Sequence, residues 1–216
     1  MEKAIVKALC FIWKIASELD SVTEKQRDPF QFFYIKKIHF SIETKKSKMG
    51  ERRMKDNMFL LSAAEAKPFC DAGNDCKESW WLRTPGTDSI HKVQWASDYV
   101  GISEIGSLVN TSMGVRPGIH LSKEALNKGT WTKRGFLEFG YYGGKVIKWK
   151  VLDKETGFLI MKKPICFSEF DSETADYQDS KIRYFINHWL YDEIFTQHEK
   201  EMILPVIING EGHCFA

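Results

Sequence analysis

The chain has almost no net charge, no long hydrophobic run and no recognisable catalytic signature. Its 216 residues contain 31 Lys and Arg against 29 Asp and Glu, which gives a formal net charge of +2. So small a charge produces no overall field that attracts nucleic acid or an anionic membrane, and charge therefore acts only locally. The 43% apolar content is sufficient for a buried core, in one domain of ordinary size or in two small ones.

Lysines interrupt the apolar stretch near the N-terminus. Residues 3–19 have the spacing of an amphipathic helix, but Lys7 and Lys14 break the continuous run that a signal peptide or a membrane span requires. We therefore expect a soluble, cytoplasmic protein without membrane contact. Core packing is the favoured role of this helix, and partner binding is the alternative. Residues 32–42 read as a strand.

Cysteine patterns typical of disulfides or zinc are also missing. The five cysteines are odd in number, which favours a reducing compartment, and none forms a CxxC pair, so no metal or cofactor is expected. No G-x-S-x-G elbow accompanies the six histidines, and the sequence therefore predicts that the chain is not an enzyme. The alternative is an enzyme of unknown reaction, with its site between residues 56–122 and 136–216, in a pocket lined by His188 or His198 and the acidic residues of 169–179.

A basic run spans residues 43–56, where six Lys and Arg face three acidic residues. A solvated linker is the favoured interpretation, because the run lacks interleaved aromatics. The alternative is an RNA-binding inhibitor that uses this run, and nucleic acid would then be bound through Lys45, Lys46, Lys48, Arg52 and Arg53.

Local signals predict short strands and capped helices. Residues 58–61 read as a buried strand, and Ser62 with Glu65 forms a capping box that starts a helix ending near Cys70. Strands are expected at 80–83, 93–100 and 114–121, with a hairpin connection at 104–107. Residues 147–151 alternate as a half-buried strand, and residues 157–161 are its expected partner strand. One helix is expected to begin at Asp179 or Ser180, and another at Thr196, where Glu199 completes a second capping box.

Two strings carry a resemblance to a known family. The chain reads WWLRTPG at residues 80–86 and GVRPGI at 114–119, with FLLS at 59–62 followed by Glu65. These strings resemble the WWLRSPG, GVRPAL and FLLS-x-x-E elements of an uncharacterised bacterial domain family, and they match its C-terminal half over residues 56–122. Elements like those of the family's N-terminal half occur at 147–152, 180–190 and 199–203, after the C-terminal half instead of before it.

The resemblance implies a mixed α+β fold of C-type-lectin-like character, with a small twisted antiparallel sheet flanked by helices. The inverted order favours circular permutation, in which residues 56–122 and 136–216 complete one domain of residues 56–216, with residues 1–55 as an addition. Fragments of two successive copies, or exchange between two chains that forms an oligomer, are the alternatives. Formylglycine-generating enzymes share this architecture, but their active-site cysteine pair is not matched here.

The span between the two strings is the candidate binding site. It mixes rigid aromatic residues with short polar ones, as binding loops do, so residues 87–113 predict a surface that binds a protein partner in a phage or bacterial effector or inhibitor. The candidate contact residues are Trp95, Asp98, Tyr99, Ser103, Asn110 and Ser112, with His91 and Gln94 beside them. Trp80, Trp81, Arg83 and Arg116 are assigned to the scaffold, with direct binding as the alternative. Adjacent Trp80 and Trp81 on a strand predict one inward and one outward ring.

Overall fold

A computed structural model describes residues 55–71, 78–97, 99–208 and 214–215 of the chain. The predicted helix at residues 3–19, the predicted strand at 32–42 and nearly all of the basic run lie outside these residues. The described part is a mixed α+β structure with more strand than helix. No helix within it is long and apolar enough to cross a membrane.

Short strands dominate the described residues. In chain order they are β1 (Lys55–Asp56), β2 (Trp80–Pro85), β3 (Lys92–Ser97), β4 (Gly101–Leu108), β5 (Met113–Val115), β6 (Gly118–His120), β7 (Thr130–Trp131), β8 (Leu137–Tyr142), β9 (Lys145–Asp153), β10 (Phe158–Met161), β11 (Cys166–Ser168), β12 (Val206–Ile208) and β13 (Cys214–Phe215).

These strands form three sheets. A terminal sheet has the order β1-β12-β13, a lysine-rich sheet has the order β6-β10-β9-β8-β7, and a tryptophan sheet has the order β11-β5-β2-β3-β4. The pair β2 and β5 is parallel, whereas the other described pairs are antiparallel. Strands β4 and β11 therefore form the two edges of the tryptophan sheet.

The helices begin at side chains that cap their free amide groups. They are α1 (Ala63–Asp71), α2 (Lys123–Lys128), α3 (Lys181–Ile194) and α4 (Gln197–Met202). Helix α3 is α-helical over Lys181–Tyr184, π-helical over Phe185–Leu190 and α-helical again over Tyr191–Ile194. Both predicted capping boxes are confirmed. Ser62 and Glu65 bond reciprocally at the start of α1, and Thr196 and Glu199 do so at the start of α4. Ser180 caps α3, as one of the two predicted positions.

The two parts of the chain on either side of residues 122–136 share sheets. In the lysine-rich sheet, β6 pairs with β10, and in the tryptophan sheet, β5 pairs with β11. A further bridge joins Leu121 to Ile203. One buried cluster contains residues from both parts, namely Leu61, Ala66, Trp80, Leu82, Ala96 and Ile160. Neither part could bury this cluster alone.

Three strand predictions need correction. The predicted hairpin connection at 104–107 is wrong, because these residues lie inside β4 and the chain reverses between Ser97 and Gly101. The predicted strand at 114–121 is two strands, since Pro117 lacks the N–H that a continuous ladder needs. Residues 58–61 are fully buried as predicted, but they contribute only the isolated bridge at Phe59 instead of a regular strand.

Candidate binding surface

A buried ion pair joins the first turn of helix α1 to strand β2. Arg83 donates to both carboxylate oxygens of Glu65, at 2.6 and 2.8 Å, and to the carbonyl oxygen of Leu60 at 2.6 Å. The same Glu65 carboxylate accepts the amide hydrogen of Ser62, so one side chain both caps α1 and fixes Arg83. The bidentate geometry and the carbonyl bond compensate the burial of the guanidinium, whose side chain is 2% exposed.

Arg116 fixes the second string to the end of strand β10. Its Nε and a terminal nitrogen donate to the carbonyl oxygens of Met161 and Lys162, each at 2.8 Å. Its guanidinium also lies over the ring of Trp80, 5.1 Å from the centroid. Both arginines of the two strings are therefore buried within the fold.

The two adjacent tryptophans of β2 are buried on opposite faces of the sheet. Trp80 belongs to the cluster beneath α1, whereas Trp81 packs edge-on against Phe170 and donates from Nε1 to the carbonyl oxygen of Ser168 at 2.9 Å. The predicted outward ring is wrong, because the segment after β11 covers the second face of the sheet. With Arg83 and Arg116, both rings lie beneath the surface and not on it.

The hairpin of β3 and β4 stands on this base and has an irregular register. Pairing shifts between Val93 and Trp95, so residues 104–106 bulge out of β4. Gly106 adopts φ +80°, and a Cβ there would lie 2.5 Å from the carbonyl oxygen of Val93. The amide of Thr87 donates to the carbonyl oxygen of Glu104. The bulge thus folds over the turn that follows β2 and interrupts the outer edge of the sheet.

The predicted contact residues do not form one patch. Tyr99 is 81% exposed at the tip, and half-buried Trp95 and Ser103 face each other in the middle of the hairpin. Exposed Asn110 and Ser112 follow the other end of β4, about 25 Å away along an eight-residue strand. Asp98 lies outside the described residues. Of the neighbouring residues, His91 is exposed and Gln94 is buried.

Large apolar side chains line the same hairpin and were missed from the sequence. Besides Tyr99, Ile90 is 80% exposed, Val100 60%, Ile105 57% and Leu108 51%. We call these five residues the hairpin surface. The spacing of Ile102, Ile105 and Leu108 could have predicted this exposure. Side chains in a regular strand alternate between faces, so apolar residues three apart cannot all point toward the core.

The hairpin surface carries few charges. Lys92 is paired with Asp88 at 2.8 Å, and Glu104 is the sole charged residue of β4. At the turn before β3, a ring nitrogen of His91 lies 2.8 Å from the carbonyl oxygen of Glu173. The exposed apolar side chains therefore dominate the chemistry of this surface.

Groups that could support catalysis are dispersed. Among the described residues, no group of three or more His, Cys, Asp or Glu could hold a metal ion. His188 and His198 are both exposed, on α3 and α4. Burial raises the pKa of the Cys166 thiol to about 12, which disfavours the thiolate that nucleophilic catalysis requires. Asp171, in the acidic loop, is buried and accepts amide hydrogens from Glu173, Thr174 and Lys181.

The hairpin surface thus consists of exposed apolar side chains on a rigid, buried base. Comparison of the chain with protein-family models, curated proteins and solved structures gives no match.

Proposed function

We propose that this chain is a non-enzymatic recognition module that binds a protein partner through the hairpin surface. One observation carries the proposal: five large apolar side chains, each between 51% and 81% exposed, lie along a single hairpin. Large exposed apolar side chains on an otherwise polar surface are typical of protein contact sites. Burial of each would contribute about 1.5–3 kcal/mol before the costs of association are subtracted.

The base of the hairpin supports this role because it is already ordered. Arg83 and Glu65 fix strand β2 to the first turn of helix α1, and Trp81 is held from the opposite face of the sheet. A surface that is rigid before binding loses less conformational entropy on contact. This favours recognition by preformed side chains over folding upon binding.

The bulge favours contact through side chains over addition of a partner strand. Residues 104–106 leave the regular ladder, and the carbonyl oxygen of Glu104 already accepts the amide of Thr87. A partner strand needs a regular row of unpaired backbone groups, and bulges interrupt such rows. The low charge of the hairpin surface likewise favours an apolar protein patch over a polyanion.

The finer assignments belong to the same proposal. We assign the chain a C-type-lectin-like fold with its halves in permuted order, and a cytoplasmic role as a phage or bacterial effector or inhibitor. Pairing of β6 with β10 and of β5 with β11 supports the permutation, because strands from residues 56–122 and 136–216 complete the same sheets. A small sheet that displays an irregular, exposed hairpin is in keeping with the lectin-like assignment.

The test is affinity capture with three tagged baits in an extract of the cells that encode the chain. The baits are the unaltered chain, a Tyr99→Ser/Ile105→Ser variant, and a Phe167→Ser control. Phe167 is 44% exposed on β11, at the opposite edge of the same sheet. We expect the unaltered chain and the control to retain a stoichiometric partner, quantified by mass spectrometry, and the double variant to retain at least tenfold less.

Isothermal titration with the purified partner then separates affinity from folding. Circular dichroism should show the same unfolding midpoint for the double variant and the control, because both alter exposed side chains. Equal partner affinity for the unaltered chain and the double variant would overturn the proposal.

A further inference from the structure

Charge is segregated along the chain although its total is nearly balanced. Residues 130–163 contain eight Lys and Arg against three acidic residues, a net of +5, whereas residues 164–208 contain three against nine, a net of −6. The basic segment includes four of the five strands of the lysine-rich sheet, β7, β8, β9 and β10. The basic segment of the sequence therefore coincides with most of one sheet.

Strand register places part of this charge on one face of the lysine-rich sheet. Lys148 on β9 pairs with Glu138 on β8, and its carbonyl oxygen accepts the amide of Lys162, which follows β10. Residues directly opposite each other in an antiparallel pair have side chains on the same face. The Lys162 ammonium reaches across to lie 4.2 Å from the centroid of the Phe136 ring, which places Phe136 on that face too.

An exposed tyrosine extends this face toward the turn between β8 and β9. Tyr141 pairs with Val146, which precedes Lys148 by two residues and so points the same way. Tyr141 is 55% exposed and Val146 48%. We call this set the lysine face; its members are Phe136, Glu138, Tyr141, Val146, Lys148 and Lys162. Exposed Lys145, beside the turn, pairs with Tyr142 and projects from the opposite face.

We propose that the lysine face binds single-stranded nucleic acid without sequence preference. Such binding requires cations that follow the phosphates and exposed rings on which bases stack. Lys148 and Lys162 supply the cations, and Tyr141 supplies an exposed ring. Glu138 is the sole acid of the face, and its Oε1 lies 3.7 Å from the Lys148 ammonium, which offsets its charge. Neither phosphate pairing nor stacking reads the 2′-hydroxyl, so DNA and RNA bind alike.

The geometry favours a single strand over a duplex or an acidic peptide. A sheet face cannot insert into a duplex groove as a helix or a ribbon does, and a duplex keeps its bases stacked away from Tyr141. An acidic peptide would pair with the lysines but would leave the exposed ring without a stacking partner. The ring therefore distinguishes the proposed ligand from a general polyanion.

Fluorescence anisotropy with labelled oligo(dT) and oligo(U) of about 12 nucleotides tests the proposal. We expect Tyr141→Ser to weaken binding about 5- to 100-fold without changing the salt slope. Lys148→Gln should instead reduce the slope of log K against log salt by about 0.7, the contribution of one phosphate contact on a single strand. Lys128→Gln is the matched control, because its side chain is 77% exposed on α2.

Three outcomes would overturn the proposal. Tyr141→Ser and Lys148→Gln could both bind as the unaltered chain does. A duplex or polyglutamate could compete as well as unlabelled oligo(dT). Binding could also disappear when Lys45, Lys46, Lys48, Arg52 and Arg53 are all changed to Gln, which would assign it to the basic run instead. None of these outcomes bears on partner capture through the hairpin surface, so the two proposals fail independently.

Discussion

Two long hairpins, β3–β4 and β8–β9, share a backbone plan and differ in what they expose. Each carries an exposed tyrosine near its turn, Tyr99 in the first and Tyr141 in the second. Both pairings shift register once, but the first hairpin is lined by aliphatic side chains, whereas the second reverses tightly at Gly143 and Gly144 and bears lysines. The same supersecondary unit thus provides one apolar and one basic surface.

The difference begins at the base of each hairpin. The first is anchored by the buried pair of Arg83 and Glu65, at 2.6 Å. The second carries the loose pair of Lys148 and Glu138, at 3.7 Å, with side chains 47% and 29% exposed. Removing one partner of a buried charge pair is strongly destabilising, whereas an exposed pair contributes little to stability. The first hairpin should therefore depend far more on its ion pair than the second.

Glu65→Ala should produce the largest loss of stability. It leaves the buried Arg83 guanidinium without the carboxylate that offsets its charge and removes half of the α1 capping box. We expect the free energy of unfolding, from urea denaturation, to fall by about 3–5 kcal/mol. The matched change Glu138→Ala should cost less than about 1 kcal/mol. Equal losses for the two variants would contradict the contrast between the hairpin bases.

The second prediction uses a glycine from each hairpin. Gly106 and Gly143 both have positive φ, at +80° and +55°, but a Cβ at Gly106 meets the backbone of Val93 whereas one at Gly143 meets nothing within 4 Å. Gly143→Ala should cost about 1–2 kcal/mol from backbone strain alone. Gly106→Ala should cost roughly 3 kcal/mol, since the bulge must also move.

Thermal and urea denaturation of both glycine variants check this difference. If Gly106→Ala were no more destabilising than Gly143→Ala, the bulge would be loose, and the hairpin surface would lose its rigid support.

Local chemistry could be read from the sequence where a few neighbouring residues decide the structure. The two capping boxes at Ser62 and Thr196 are such cases, because donor and acceptor lie three residues apart. The pairing of 157–161 with 147–151 was also predictable, since a turn joins two apolar segments directly. In β9, which contains residues 147–151, only Trp149 is fully buried, because neighbouring segments cover only part of the sheet.

Long-range packing could not be read in this way. Glycine at 106 suggested a turn, and it does have a positive φ, but the same backbone angle also serves a bulge within a strand. Whether Trp81 faced water depended on residues 168–171, which are nearly ninety positions away. The exposure of Ile105 likewise depends on register and not on composition.

The third prediction concerns the edge strand β11, because the tryptophan sheet contains a half-buried thiol, Cys166, and the lysine-rich sheet contains no cysteine. Burial raises the pKa of Cys166 from 9.0 to about 12. Because the pKa of Cys166 is higher in the folded than in the unfolded chain, the neutral thiol contributes fully to stability below the pKa of the unfolded chain. This contribution is lost as the pH rises from that pKa toward the pKa of the folded chain. The free energy of unfolding should therefore fall by about 1 kcal/mol between about pH 8 and about pH 10.

Urea denaturation at the two pH values, with Cys166→Ala as the reference, measures this contribution. The variant should show a smaller fall, whatever its own stability at pH 8. Tyr177, whose pKa is also raised by burial, adds a loss of the same sign, but only once the pH passes its ordinary value of 10.0. A fall of the same size in both proteins would mean that Cys166 is accessible to water.

The smallest effect on stability is expected at the two exposed tyrosines, and it is the sharpest test of the comparison. Tyr99→Ser and Tyr141→Ser should each change the free energy of unfolding by less than about 0.5 kcal/mol, because both rings are mostly in water. Their binding defects should nevertheless be opposite: the first should weaken partner capture and spare oligo(dT) binding, and the second should do the reverse. Because neither variant perturbs folding, such a crossed result can arise only if the two hairpins present separate surfaces. A single variant that weakened both activities would instead mean that one continuous surface serves both ligands.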